Sequence, residues 1–382
     1  MPTDYDFVVG GGSVAGLAFA AEASKRGASV LVLEEHETIG EPEKCDGLVS
    51  LRGLRSQGFA PHQDVIQNQI NTALIHSPRG RQFAVNATAL EVIVLERSSY
   101  DKQLARLAES RGAVVRTGTR VAGTELSAGE VSVSANGERI TAKYYVDATG
   151  PASSPRRGIM PAAKFEVEGD WIREHVVEVF LDQDLYPGFF AWVIPYGRHR
   201  AKVGAAGFGI APFRALDDFL ATRPSRILRR ISAPLYVGGP VRDFVRGRTI
   251  LVGESAGQVK PTTAGGIMTS IAGAVSAAHW ASESLGRGGP RLLENYRREW
   301  DSRFLKEMRN MLRLRGVFEK LTNSDLESLM EIIATPKVVL KLSQSDFDFH
   351  ASALLGALGL QGVLRLARAV TSAEVRALLV SG

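Results

Sequence analysis

The chain has a single cysteine, Cys45, in the stretch EPEKCDGLVS that spans residues 41–50. A thiol beside a bound substrate can donate a proton to a carbon atom, or it can shape the pocket that holds the substrate. A buried, inert cysteine is the commoner case in proteins. Whether Cys45 is reactive therefore depends on the residues that surround it.

A glycine-rich turn follows the first predicted strand. The apolar run 5–10 leads into GGSVAG, residues 11–16, and an Ala-rich helix pattern then extends to about Arg26. A second apolar run ends at Glu34. In such a βαβ unit the glycines let a helix N-terminus approach a pyrophosphate, and the acid binds ribose hydroxyls. The pattern predicts FAD or NAD rather than NADP, although Ser13 replaces the usual middle glycine.

Three further segments contain residues suited to a flavin nucleotide. VIVLERSSYDKQLARL begins at residue 92 and predicts a strand, then Arg97 facing a phosphate or the flavin edge, then a helix. YYVDATG, residues 144–150, ends a strand in small residues that let the backbone pass close to a nucleotide. TILVGESAGQVKPTTAGGI, residues 249–267, predicts a strand, a turn and a helix N-terminus whose N–H groups could stabilise an anionic reduced flavin.

The same GESAG sequence, residues 253–257, permits a different interpretation. It satisfies the G-x-S-x-G pattern of a hydrolase nucleophile elbow, in which Ser255 would be the nucleophile. However, the chain has no HGG segment for an oxyanion hole. A hydrolase would also leave the N-terminal fingerprint without a role, whereas a flavoenzyme uses all four segments.

Together these segments resemble the FAD-binding segments of the p-hydroxybenzoate hydroxylase superfamily. The GESAG position reads GDAAG in the usual pattern, so Glu254 stands here for the aspartate that contacts the ribityl chain. Within the superfamily, KCDG and FFAWVIP resemble the geranylgeranyl reductase family, of the digeranylgeranylglycerophospholipid reductase type. Members of that family saturate isoprenoid double bonds, including those of archaeal phospholipids.

The resemblance implies an α/β fold with three parts. Residues 1–160 and 245–290 would form a Rossmann-like FAD-binding domain of the glutathione reductase and p-hydroxybenzoate hydroxylase type. Residues 161–244, with strands from about 71–95, would form an inserted antiparallel-sheet substrate domain. Residues 291–382 would form a helical C-terminal region.

The resemblance also implies roles for individual residues. Cys45 and Gly47 would lie at the reacting centre, with Cys45 either donating a proton or shaping the pocket. The implied FAD contacts are Gly11, Ser13, Ala15, Gly16, Glu34, Cys45, Asp46, Arg97, Val121, Gly150, Gly253, Glu254, Gly257, Pro261, Gly265, Gly266 and Ile267. The electron donor stays open between NAD(P)H, ferredoxin and a deazaflavin.

An aromatic strand is the candidate substrate wall. Side chains alternate along a strand, which predicts one face with Phe190, Trp192 and Ile194 and another with Phe189, Ala191 and Val193. The small residues of AKVGAAGFG, residues 201–209, predict room for a long apolar ligand. Ordinary sheet core is the alternative for any such apolar strand.

Enzymes that use oxygen remain a second alternative. FAWVIP is similar to the W-x-W-x-I-P strand of flavin-dependent halogenases, with Phe190 where their first tryptophan belongs. Those enzymes also need a lysine, and Lys44 is available. Aromatic hydroxylases, which are monooxygenases, share the same flavin-binding architecture.

Composition excludes several classes of protein. The 382 residues are 45% hydrophobic and 23% charged, with a net charge of +5, as expected of a globular chain. One cysteine and a start without a leader pattern predict a cytoplasmic protein. The uncharged stretch 261–282 is too weakly apolar for a membrane span and predicts a buried helix. The seven histidines show no metal-binding spacing, and no nucleic-acid motif occurs.

Two basic clusters, RPSRILRR and RNMLRLR, allow peripheral membrane association. A solvated surface explains most such clusters, whereas attraction to anionic headgroups is the more specific hypothesis. SALLGALGLQGVLRLARAV, residues 352–370, could likewise lie at a membrane surface or pack in the core.

Overall fold

A twisted, mostly parallel sheet is built around β1 (Tyr5–Gly10). Its neighbours β2 (Val30–Leu33) and β11 (Glu138–Asp147) both run parallel to it, and β8 (Val114–Arg116) and β20 (Thr249–Leu251) extend the parallel order outward. Apolar side chains of β1 and β2 are nearly inaccessible to solvent, as expected when both faces of a parallel sheet are covered. The computed structural model describes residues 3–127, 129–151, 158–286 and 289–369, with side chains described up to residue 359.

Antiparallel strands complete this sheet at its edges. β19 (Val245–Arg246) pairs with β20, and the hairpin of β9 (Val121–Leu126) and β10 (Val131–Ala135) pairs with the first half of β11. The helices α1 (Val14–Lys25) and α5 (Ile267–Leu285) pack against each other through small residues. The prediction of a buried helix within the uncharged stretch is confirmed by α5.

A seven-stranded sheet forms the second layer of the molecule. Its strands, in spatial order, are β17 (Arg226–Ser232), β13 (Ala162–Glu168), β16 (Arg200–Ala206), β15 (Ala191–Gly197), β14 (Val176–Phe180), β5 (Thr72–His76) and β6 (Gln82–Asn86). Every pair is antiparallel except β14 with β5. One face packs under α4 (Pro212–Leu220), through residues that include Phe165 and Val203.

A three-stranded sheet lies between these layers. It contains β3 (Leu48–Ser50), β7 (Val92–Leu95) and β4 (Ile66–Ile70), all antiparallel. β7 falls inside the 71–95 stretch that the sequence assigned to the substrate sheet, but it pairs here instead. Adjacent side chains of β7 point to opposite faces. Val94 joins the core around Trp192, and Leu95 joins the core beneath the parallel sheet.

The predicted helical C-terminal region is confirmed. It consists of α6 (Glu294–Phe318), α7 (Asn323–Ile333), α8 (Pro336–Ser343) and α9 (His350–Ala369), with non-helical backbone at Gly359. The remaining elements are α2 (Leu51–Ser56), α3 (Arg97–Ser110), the short pair β12 (Ile159–Met160) and β18 (Leu235–Tyr236), and single helical turns at Gln63–Val65, Thr88–Leu90, Gly253–Ala256 and Pro290–Leu293.

The described part of the 352–370 segment packs inward. Ala357 is buried, and Leu354 and Leu358 pack with Met330 and Val338. Side chains from residue 360 onward lie outside the described set, so membrane contact there stays a prediction. Among the described helices, none has both the length and the apolar character needed to cross a bilayer.

The predicted faces of the aromatic strand need one correction. Trp192 and Ile194 share a core, and Ala191 and Val193 face the opposite one, as the alternation requires. Phe189 was placed with Ala191, but it joins the Trp192 side. The reason is that β15 begins only at Ala191, so Phe189 precedes the strand and does not follow its alternation.

The room predicted beside this strand is partly filled. Trp192 pairs with Gly204 of β16. A Cβ atom added to Gly204 would lie 2.1 Å from the indole Cε2. The glycine therefore accommodates the Trp192 ring itself, rather than leaving space for a ligand at that point.

We expect Gly204→Ala to lower the free energy of unfolding by about 1–3 kcal/mol, because the added methyl group must displace the Trp192 ring. The matched control is Gly123→Ala, since a Cβ atom at Gly123 meets nothing within 4 Å. Urea denaturation of both variants measures the difference. Equal stability of the two variants would contradict the proposed ring contact.

Candidate active site

The glycine-rich turn after β1 is held from both sides. Gly11 N donates to Leu33 O (2.8 Å), and Gly12 N donates to the Glu34 carboxylate at Oε2 (2.7 Å). On the opposite side, a Cβ atom on Gly11 would lie 2.4 Å from Ala148 O, and its φ of +103° also favours glycine. The turn and the ends of β2 and β11 therefore meet at the N-terminus of α1.

The Glu34 carboxylate lies at this turn, as the fingerprint predicts. Its Oε1 accepts a hydrogen bond from His36 N at 3.0 Å. The Glu34 carbonyl accepts from Thr119 N at 2.7 Å, and Val121 begins β9 two residues later. The structure thus places both Glu34 and Val121 near one end of the parallel sheet.

Arg97 lies inside the protein at the start of α3, only 7% exposed. Its Nη2 donates to the Asp101 carboxylate (3.0 and 3.1 Å) and to Ser13 Oγ (3.3 Å). Burial alone would lower the pKa of Arg97, but Asp101 and the Cys45 side chain raise it overall. Arg97 therefore remains cationic and links the start of α3 to the N-terminus of α1.

The GESAG turn is tied to the end of β11. Ser255 Oγ donates to Asp147 Oδ1 (3.0 Å) and accepts from Gly150 N (3.0 Å), and Ser255 is completely buried. A Cβ atom on Gly253 would lie 2.7 Å from Ala15 Cβ, so the turn also abuts α1. A nucleophilic serine must reach its substrate, so burial and these bonds favour a structural role for Ser255.

Glu254 lies beside Gly150 and Arg97. Its Oε2 would be 3.9 Å from a Cβ atom on Gly150. Burial raises the pKa of the Glu254 carboxyl, and the charge of Arg97 opposes that shift. Gly257, at the end of the turn, has a φ of +69° and abuts Gly239 O, so it too requires glycine.

The loop around Cys45 is bound by the seven-stranded sheet through two buried lysines. Lys164 of β13 is 1% exposed, and its Nζ donates to Cys45 O at 2.9 Å. Lys202 of β16 is 2% exposed, and its Nζ donates to Glu43 Oε1 (2.6 Å) and Asp46 O (3.2 Å). Burial would raise the pKa of Glu43, but the Lys202 charge lowers it overall.

The predicted aromatic wall contacts the same loop directly. Trp192 Nε1 donates to Asp46 Oδ2 at 2.8 Å, which fixes the orientation of the indole. Gly47 has a φ of +82° and lies against β7, where a Cβ atom would be 2.2 Å from Leu95 O. Cys45 itself is exposed between these anchors.

The two lysines were missed by the sequence interpretation. Along β13 and β16 they alternate with Phe165 and Val203, a pattern that is typical of a solvent-facing side. The only signal was the pairing of KFEVE with RAKVGAA as adjacent strands, which puts both ammonium groups on one face. The loop that covers this face lies more than a hundred residues earlier.

The segment before α5 is held by the C-terminal helices. Lys260 Nζ and Asp348 Oδ1 form a buried ion pair at 2.9 Å, and Arg315 Nη1 donates to Pro261 O at 3.2 Å. α5 begins at Ile267 with Gly266 as its N-cap, as predicted, and Gly265 O accepts from Lys260 N. Met268, in the first turn of α5, lies against Gly53, which follows the Cys45 loop and β3.

A cleft of about 790 Å³ opens beside the Cys45 loop. Its lining is mainly polar and includes Glu41, Glu43, Ser98, Lys102 and Arg229. Such a lining does not suit an isoprenoid chain, so the predicted apolar channel near Trp192 stays a prediction.

Comparison with known proteins identifies the family. A family model described as an FAD binding domain matches residues 4–219. Digeranylgeranylglycerophospholipid reductase 2 of Methanopyrus kandleri is 30% identical over 362 residues, covering 86% of this chain and 90% of that protein. The chain belongs to the digeranylgeranylglycerophospholipid reductase family.

Solved structures show the fold that this family shares with other flavoenzymes. A geranylgeranyl bacteriochlorophyll reductase-like protein of Thermoplasma acidophilum has a TM-score of 0.85 at 22% identity, covering 96% of this chain and 99% of that one. The flavin-dependent brominase Bmp2 has a TM-score of 0.69 at 16% identity, covering 93% and 98%. At these identities both comparisons bear on the fold alone, so the brominase gives no separate support for a halogenase.

Membership of the digeranylgeranylglycerophospholipid reductase family confirms several predictions. The family resemblance, the α/β flavoprotein fold and the FAD cofactor are confirmed. The individual FAD, catalytic and substrate contacts stay predictions, although the structure brings the turns that carry most of them together.

We expect Lys202→Met to lower the free energy of unfolding at pH 7 by about 3–5 kcal/mol, because Glu43 would keep a buried charge without its nearest cation. The double variant Glu43→Gln/Lys202→Met leaves neither charge and should lose less. Urea denaturation measures both. A double variant that is as unstable as Lys202→Met would contradict the ion-pair account.

Lowering the pH should also test the contribution of the Glu43–Lys202 ion pair to stability. The folded-state pKa of Glu43 lies below its ordinary value of 4.5, so its contribution to stability is present above that pH and is lost as the pH falls further. Glu43→Gln should therefore lose less stability on acidification than the unmodified protein does. Parallel denaturation curves across this pH range test the sign.

Proposed function

We propose that this chain is an FAD-dependent reductase that saturates isoprenoid C=C bonds, of the geranylgeranyl type, in lipid precursors. The observation that carries the proposal is the placement of the Cys45 loop. Lys164, Lys202 and Trp192 bind it to the seven-stranded sheet, and Arg97 bonds Ser13 in the glycine-rich turn. The names of the curated relatives, digeranylgeranylglycerophospholipid reductases, support the same substrate class.

The residues at the turns suit FAD. A Cβ atom on Gly16 would lie 2.0 Å from Gly11 O, so the start of α1 requires glycine where a pyrophosphate would approach. Glu34 would bind the ribose, and Glu254 and Gly150, which adjoin each other, would lie further along the cofactor. Residues 261–267 would bind the flavin end from the N-terminus of α5. When bound and reduced, FAD supplies a hydride.

The rest of the chemistry falls to the chain's own side chains. An isolated alkene offers no polar group to hold, so apolar contacts must position it and exclude water. Phe190, Trp192 and Ile194 would provide those contacts. Because the Trp192 N–H is already bonded to Asp46, the indole would present a fixed face to a substrate.

Cys45 is the proposed source of the proton. Cys45 is exposed on a loop whose backbone is fixed by Lys164 and Lys202, so its thiol is accessible to a substrate. Proton donation and pocket shaping, the two roles that the sequence left open, differ in whether Cys45→Ser keeps activity.

The proposed setting is the cytoplasmic surface of a membrane. An isoprenoid lipid resides in a bilayer, so an enzyme without a spanning helix in its described part would associate peripherally. Electrons would reach FAD from NAD(P)H, ferredoxin or a deazaflavin.

The decisive assay uses the purified holoprotein, reduced without oxygen by dithionite and then mixed with a digeranylgeranyl phospholipid in detergent. We expect the flavin absorbance to return and the lipid to gain hydrogen, as measured by mass spectrometry. Reoxidation only by oxygen, with a hydroxylated or halogenated aromatic product, would contradict the proposal.

Cys45→Ala should slow alkene reduction by about 10²–10⁴-fold, the usual contribution of a general acid, while reduction of the flavin by dithionite stays unchanged. Cys45→Ser is the matched control because it keeps the shape of the side chain, with only a slightly smaller volume, but is a far weaker acid. Stopped-flow absorbance separates the two half-reactions. Full activity in Cys45→Ser would assign Cys45 a shaping role, and equal losses in both half-reactions would remove it as a specific donor.

A further inference from the structure

The segment that precedes α5 folds back on itself. Lys260 N donates to Gly265 O (3.0 Å), and Ala264 N donates to Lys260 O (2.9 Å), so residues 260–265 form a closed loop. Within it, Ala264 has a φ of +53°, in the left-handed region that a residue with a Cβ atom adopts only at a cost in free energy. Contacts from outside the loop must therefore help to hold Ala264 in this conformation.

Three consecutive residues of this loop each bond to a different residue of the helical C-terminal region. The bonded pairs are Lys260–Asp348, Pro261–Arg315 and Thr262–His350. His350 begins α9, and the first turn of α9 is itself fixed by α6, because Glu307 Oε1 accepts from Ala351 N at 2.8 Å. The C-terminal region therefore restrains the first half of the loop residue by residue.

The bond between Thr262 and His350 joins two neutral groups. Burial and the nearby charge of Lys260 lower the pKa of His350 to about 4, so its imidazole is neutral at pH 7. Nδ1 lies 3.3 Å from Phe347 O, which can only accept, so Nδ1 carries the proton. Nε2 therefore accepts from the Thr262 hydroxyl, 2.7 Å away. Removing this bond leaves no buried charge unpaired, unlike removing Asp348 from Lys260.

The second half of the loop connects the C-terminal region to the proposed flavin end. Ala264 packs against the core that contains Trp192, and Gly266 is the N-cap of α5 two residues later. The conformation of Ala264 thus sets where the N-terminus of α5 begins relative to Trp192. A loop that relaxed at Ala264 would move the backbone that we expect to bind FAD.

We propose that His350 is a positioning residue for FAD. By accepting the Thr262 hydroxyl it helps to keep Ala264 in the left-handed conformation, so that residues 261–267 are arranged for the flavin before the cofactor binds. Such preorganisation raises affinity, because FAD does not then have to select a minor conformation of the loop. The inference rests on the proposed FAD contact of residues 261–267 and is independent of the alkene substrate.

The test is the dissociation constant of FAD, obtained by diluting the FAD-loaded full-length protein and measuring the fluorescence of the released cofactor. His350→Phe removes both imidazole hydrogen bonds and should weaken FAD binding about tenfold, since backbone strain of this kind shifts an equilibrium by about that factor. Thr262→Val deletes the same bond from the other side and should show a similar loss. His350→Gln keeps an acceptor for Thr262 and should retain most of the affinity.

A second substitution in the loop separates positioning from a general loss of structure. Glycine adopts a positive φ without the cost that alanine has, so His350→Phe/Ala264→Gly should regain most of the lost affinity. The matched control is His76→Phe. His76 is buried in the seven-stranded sheet with its Nε2 2.7 Å from Glu178 Oε2, so this variant also loses a buried histidine bond but should bind FAD like the unmodified protein.

Unmodified FAD affinity in either His350→Phe or Thr262→Val would overturn the proposal. Failure of Ala264→Gly to restore binding, or an equal loss in His76→Phe, would also overturn it. Alkene turnover is not measured, so the outcome is separate from the proposed reaction. A protein that shows these affinities but reduces no isoprenoid would contradict the proposed substrate and support the role of His350.

Discussion

Two buried ammonium groups hold the site together. Removing a lysine from water costs several kcal/mol unless its hydrogen bonds are replaced, and Lys164 and Lys202 replace theirs with the carbonyl and carboxylate groups of the Cys45 loop. The loop must therefore adopt the one conformation that satisfies both lysines. Because the lysines lie on the seven-stranded sheet and the loop follows β2, the same bonds fix the two layers relative to each other.

Arg97 is the buried cation on the nucleotide-binding side of the site. Its guanidinium donates to Ser13 at the N-terminus of α1. The Cys45 side chain contributes to raising the pKa of Arg97. The Cys45 loop is thus bonded to the seven-stranded sheet through Lys164 and Lys202, whereas Arg97 bonds the N-terminus of α1 on the nucleotide side. The helical C-terminal region separately restrains the segment before α5 through the buried Lys260 and Asp348 pair.

Local pattern was enough for the nucleotide-binding turns. Gly11 is required because the Ala148 carbonyl lies too close for a side chain, and Gly150 and Gly253 have positive φ angles of +90° and +64° that favour glycine. Short motifs record such needs directly. Contacts between residues far apart in the chain could not be predicted from local sequence patterns. Lys164 and Lys202 alternate like surface residues, and nothing local predicts that a distant loop covers them. Phe189 was misplaced because periodicity does not mark where a strand begins.

A crystal structure of the FAD-loaded protein tests the central claim most directly. Our account predicts the isoalloxazine ring between the Cys45 loop and residues 261–267, with Cys45 on the side that faces Trp192. It also predicts that Lys164 and Lys202 keep their bonds to the loop. A flavin ring bound away from Cys45, or a loop released from both lysines, would contradict it.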